Sequence, residues 1–140
     1  MIFNYFYVSK RLRKSVKMKD ISYTFIIVRE KDLDLFLQAS SVRQISAVGE
    51  VFRCVNKVDF SQEPSVSDSG TVWNQTFRGV TACRCSMKWN GRRAGVAIVN
   101  SDGSVTKIGN AGELPTLAVT PYYGAFVVSA SFDTAVPAAL

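Results

Sequence analysis

The chain has no histidine among its 140 residues. That absence removes the Ser-His-Asp and Cys-His arrangements, histidine-based zinc sites and the commonest general base near neutral pH. Cysteine is scarce as well: Cys54, Cys83 and Cys85 are all there are. A structural zinc site takes about four Cys or His ligands, so no metal is expected. An odd count without a secretory signal points to reduced thiols buried as small hydrophobes, with Cys83 and Cys85 on one face of a strand. No GxxxxGK[ST] motif occurs, and Gly103, Gly109 and Gly112 do not form GxGxxG between a strand and a helix, so no nucleotide cofactor is expected. Apolar residues precede basic ones at the start, the reverse of a secretory signal. That stretch is also far shorter than the roughly 20 apolar residues a membrane helix needs. Catalytic residues, cofactor, metal, small-molecule substrate and membrane contact are all expected to be absent.

Acid is missing from the first 19 residues, and this relocates the formal charge of +6. Lys10, Arg11, Arg13, Lys14, Lys17 and Lys19 all precede Asp20, and the rest of the chain is formally neutral. The sequence therefore divides into a basic N-terminal arm, residues 1–19, and a β-rich domain, residues 20–140. The arm also carries Phe3, Tyr5, Phe6 and Tyr7, too few and too terminal to make a core yet costly to leave in water. These aromatics and the bases Lys10, Arg11, Arg13, Lys14 and Lys17 are candidate partner-binding residues. The plainer reading is an extension ahead of a start at Met18. Within the domain, Lys88, Trp89, Arg92 and Arg93 form the one cluster of bases beside an aromatic that nucleic-acid recognition would require. A Trp beside a turn more often anchors that turn.

What is abundant is apolar alternation, and hydrophobic residues make up 47% of the chain. Ile21, Tyr23, Phe25 and Ile27 share one face of a half-buried strand. Lys31 to Gln38 reads as a short helix or loop with Leu33, Phe36 and Leu37 together. Residues Glu50 to Gln62 read as one long amphipathic strand, Ser61 to Gly70 as an exposed loop, and Thr71 to Cys85 as another β-prone run. The runs flanking that loop are expected to form one long hairpin. Ser101-Asp102-Gly103 marks a tight hairpin between Ala94–Asn100 and Ser104–Gly109, and Tyr122-Tyr123 marks the last one. The expected fold is mainly β: an antiparallel β-sandwich or barrel with at most one or two short helices and an N-terminal extension.

From Phe60 onward the chain resembles small structural proteins of tailed bacteriophages and prophages, those of tails and head-to-tail connectors. The likeness rests on Val58-Asp-Phe-Ser-Gln-Glu-Pro64, on Asp68-Ser-Gly-Thr-Val-Trp-Asn-Gln75, on the hairpin Gly95 to Gly109, and on the terminal hairpin with its Pro-containing tail. It implies a virion part that oligomerises in a ring or at a joint, made in the host bacterial cytoplasm, whose partners are other virion proteins and copies of itself. The leader Met1 to Lys17 has no place in that pattern.

Two other classes compete. One is a nucleic-acid-binding β-barrel module using the basic arm with Lys88, Trp89, Arg92 and Arg93. The weaker is a small carboxylate-based hydrolase, with Asp32 and Asp34 or Asp59 and Glu63 as its acids. If the arm serves assembly, deleting residues 1–17 leaves a folded domain with an almost unchanged melting temperature while incorporation into a particle falls. Loss of folding on truncation would place the arm in the core instead.

Overall fold

The computed structural model describes residues 22–110 and 112–136. Strand β1 (Ser22–Arg29) leads through a short 3-10 turn into helices α1 (Leu33–Gln38) and α2 (Val42–Val48). The strands β2 (Glu50–Arg53), β3 (Asp59–Ser67), β4 (Gly70–Thr81), β5 (Ala94–Asn100), β6 (Val105–Ile108), β7 (Ala118–Tyr122) and β8 (Ala125–Thr134) follow. A 3-10 segment, Arg84–Trp89, lies between β4 and β5. All pairings are antiparallel and make two four-stranded sheets, ordered β2-β1-β5-β6 and β3-β4-β8-β7. The mainly β, antiparallel sandwich expected from sequence is the architecture observed. No helix among the described residues is long and apolar enough to cross a membrane.

Between the sheets lies a core of Phe25, Ile27, Phe52, Phe77, Val96, Ile98, Val128 and their neighbours. Phe25 stacks on Phe52 at 5.3 Å between ring centroids and meets Phe77 edge-on at 5.1 Å, the offset geometries that aromatic quadrupoles prefer. A Cβ on Gly79 would come within 2.8 Å of the Phe25 ring. Glycine at 79 is what allows β4 and β1 to approach this closely.

The first sheet is buried on its other face too. Ile26, Val28 and Ala97 pack there against Phe36, Ala39 and Ile45 from the helical segment. β1 is therefore a central strand in a three-layer stack. Its run Phe25 to Val28 is essentially inaccessible, which corrects the half-buried reading: one face meets the second sheet and the other meets the helices. Ile21 lies outside the described residues.

α1 forms where Leu33, Phe36 and Leu37 share a face, and Phe36 fills the space left by the missing side chain of Gly95. Lys107 on β6 ties this layer down. Its Nζ donates to the carbonyls of Leu37 (3.2 Å) and Ala39 just past the end of α1, and sits 5.5 Å from the centroid of the Phe36 ring. A cation is favoured at that end of a helix, although burial pulls the pKa of this ammonium down. α2 starts with a capping box. The Ser41 hydroxyl accepts from the Gln44 amide at 3.2 Å, and the Gln44 side chain accepts from the Ser41 amide at 3.3 Å.

Three further expectations change. The run Glu50 to Gln62 is two strands in different sheets. Residues 54–58 carry the chain across the sandwich, with Cys54 bridging to Thr81. β4 ends at Thr81, and the chain then turns into the 3-10 segment rather than continuing to Cys85. That turn brings the Cα atoms of Cys83 and Cys85 to 5.2 Å and joins their sulfurs as a disulfide, where reduced thiols on one strand face were expected. The Ser101-Asp102-Gly103 hairpin is present as read. Gly103 adopts φ 90° and donates its amide to the Asn100 carbonyl at 3.0 Å.

Replacing Gly79 by alanine should force the Phe25 ring or β4 to move. The expected cost is about 1–3 kcal/mol, typical of overpacking a tight core. It should appear as a lower urea midpoint at unchanged m-value; an unchanged midpoint would show that the sheets have slack there.

Candidate assembly surface

The segment Ser61 to Gly70 is not a loop. Ser61–Ser67 belongs to β3, Gly70 opens β4, and only Asp68-Ser69 turns between them. Every position from 61 to 70 is nonetheless exposed or half-exposed. Strand and exposure coexist because the hairpin runs out past the sandwich. β8 accompanies β4 only as far as the pair Trp73 and Thr134, so among the described residues Gly70 to Val72 have β3 as their one strand neighbour.

Alternation along the two strands sorts the hairpin into unlike faces. The face continuous with the core carries Phe60, Gln62, Pro64 and Val66 opposite Phe77, Gln75, Trp73 and Thr71. This stripe has no charged residue. It starts buried at Phe77 (1% exposed), passes half-buried Trp73, and ends wet at Val66 (79%). Midway, the Gln75 Nε2 donates to Gln62 Oε1 at 2.6 Å, while the Gln75 Oε1 is buried without a partner. Beside this, Thr134 Oγ1 donates to Glu113 Oε1 at 2.7 Å and accepts from Asn110 Nδ2 at 3.1 Å, so the connection after β6 closes one flank of the stripe.

The other face is mainly polar: Asp59, Ser61, Glu63, Ser65 and Ser67 beside Val72, Asn74, Thr76 and Arg78. Between Lys57 and Arg78 there is no basic residue, whereas Asp59, Glu63 and Asp68 are all there and all exposed. None of these acids takes part in an ion pair among the described residues, whose ion pairs are Arg29–Asp32, Lys88–Glu50 and Arg93–Glu30.

The edges of this sheet are guarded. β3 and β7 are its outer strands, and each contains a proline, Pro64 and Pro121. Proline cannot donate to a ladder and is tolerated in sheets at edges, where it also discourages the addition of a further strand. Contact through faces is thereby favoured over edge-to-edge pairing.

The internal basic cluster comes apart in space. Trp89 is 4% exposed and donates its indole N–H to Glu50 Oε1 at 3.1 Å. It anchors the turn and offers no stacking surface. Lys88 pairs with the same carboxylate at 2.8 Å, Arg93 with Glu30 at 3.4 Å, and Arg92 is exposed. The arm residues Phe3, Tyr5, Phe6, Tyr7, Lys10, Arg11, Arg13, Lys14 and Lys17 lie outside the described residues. Asp59 and Glu63, four positions apart on one strand, stand about 13 Å apart, beyond the roughly 9.5 Å within which a glycosidase pair works. Among the described residues no three Cys, Asp or Glu side chains gather to hold a metal.

At the opposite pole, Tyr122 and Tyr123 pack edge to face at 4.6 Å on the tip of the β7–β8 hairpin. Tyr123 holds φ 46° and is 93% exposed. The positive φ of Tyr123 and Gly124 fits a turn whose twist matches the strands. Tyrosine is an unusual occupant of that position.

The long hairpin expected between the two runs is present, but sequence reading took its outer part for a loop because Ser, Pro and Asp dominate residues 61–69. The period-two stripe Phe60, Gln62, Pro64, Val66 was the available signal. It missed α2 although Ser41 and Gln44 stand at capping-box spacing ahead of Ile45. No protein family, curated protein or solved structure matches this chain.

Cys54, the one free cysteine, packs against the core where the chain crosses between sheets. Burial pushes its thiol up to about 12, with a backbone hydrogen bond to Val80 pulling partly the other way. At pH 8 the folded protein should therefore alkylate at Cys54 about a thousandfold more slowly than an unfolded control. Comparable rates in the two would show that the site opens freely.

Proposed function

We propose that this chain is a structural subunit of an assembled particle, a virion component in the tail or neck of a tailed bacteriophage, working by oligomerisation and protein contacts. The carrying observation is the uncharged stripe Pro64, Val66, Thr71 and Trp73, continuous with the core yet projecting beyond it. An apolar surface in that position costs free energy in water and is stabilised when a partner covers it. The guarded edge strands direct such contacts to faces, the geometry of closed rings and stacked joints rather than open-ended sheet growth. The resemblance of residues from Phe60 onward to tail and connector proteins supplies the particle.

The nucleic-acid reading now rests on the arm, because Trp89 of the domain's basic cluster is buried and two of that cluster's bases are paired. Sedimentation velocity of the full chain over a range of concentrations separates the readings. Multimers well above the 15.4 kDa of one chain, formed without nucleic acid, are expected. A monomer at all concentrations that instead binds DNA with a steep salt dependence would overturn the proposal.

A further inference from the structure

Two segments of this chain differ in charge, and each carries apolar residues. The arm joins the domain at Ser22. Next to it, the Tyr23 carbonyl accepts from the Cys54 amide at 2.8 Å, and Cys54 bridges to Thr81, the last residue of β4. The Asp68-Ser69 turn stands at the other end of that same strand, 12 residues long and so about 40 Å away at strand rise. The root of the arm and the tip of the hairpin are thus at opposite poles.

Their chemistry is complementary. The arm contains six bases and no acid before Asp20, together with Phe3, Tyr5, Phe6 and Tyr7. The hairpin contains Asp59, Glu63 and Asp68 with no base between Lys57 and Arg78, together with Pro64, Val66 and Trp73 on one uncharged face. From Tyr7 to Ser22 the chain can span at most about 50 Å, enough to leave one domain and lie along the next.

We propose that the arm of one copy docks on the β3–β4 hairpin of the next. The arm aromatics cover Pro64, Val66 and Trp73 on one face, and its bases meet Asp68 at the tip and pass round the β3 edge to Glu63 and Asp59 on the other face. This rests on the assembly reading and specifies its contact. Because the two surfaces differ, the contact is heterologous: repetition generates a ring if the rotation closes or a filament if it does not, unless two copies exchange arms reciprocally about a two-fold axis.

Charge reversal in the full chain tests it. Glu63→Lys with Asp68→Lys, at exposed positions that should leave the melting temperature unchanged, is expected to raise the concentration for half-assembly at least about tenfold. Arg11→Glu with Arg13→Glu should do the same, and combining the four should restore association. A photo-crosslinking residue in place of Phe6, in a mixture of isotopically light and heavy chains, should give light–heavy crosslinks to residues 60–75. Intact oligomers with no response to reversal, or crosslinks elsewhere, would overturn the docking and leave the assembly reading standing. Crosslinks to the hairpin confined to one isotope would show the arm folding onto its own domain and overturn the proposal as well. If the unmodified chain never associates, it is the assembly reading that falls.

Discussion

The rest of the structure depends on the contact of Phe25 with Gly79. β1 is central in the first sheet and β4 in the second, so the ring of Phe25 entering the gap over Gly79 sets how closely the two sheets approach. Burying a side chain of this size stabilises by roughly 1.5–3 kcal/mol, and Phe52 and Phe77 share the same space. With the spacing set there, the chain can cross between sheets in the five residues 54–58.

That crossing governs the surface. The strand leaving it, β3, pairs with a β4 longer than the layer beneath, and the surplus length becomes the projecting hairpin. Its inner face inherits the apolar alternation of the core without core to cover it. The Gln62–Gln75 contact marks the boundary: inward of it Phe77 is buried and Phe60 packs partly buried against the core, outward of it Trp73 is half-buried and Val66 is in water.

The opposite side of the first sheet shows how such a face is closed. Ile26, Val28 and Ala97 would be equally exposed, but α1 and α2 cover them, with Phe36 seated over Gly95 and Lys107 holding the carbonyls at the end of α1. The described residues therefore contain one apolar sheet face closed by helices and one apolar hairpin face that no other described residue closes at its end. Intramolecular covering requires chain nearby, and none of the described residues packs over the hairpin tip.

Local pattern was enough to reveal the β class, the antiparallel order, the Gly103 turn, the last hairpin and the helical face of Phe36, because each depends on residues within a few positions of one another. It also located the charge in residues 1–19, which needs only counting. Three things required tertiary structure. Whether β1 has one buried face or two depends on helices that pack from elsewhere. Whether Glu50 to Gln62 is one strand or two depends on which sheet receives each half. Whether Ser61 to Gly70 is loop or strand depends on pairing with Thr71 to Thr76 across the turn, since serine and proline mark exposure and the hydrogen bonds that make a strand come from its neighbour. The candidate surface lies in that last group: its residues were visible in the sequence, but their alignment on one face beyond the core follows from register, which only the paired strand supplies.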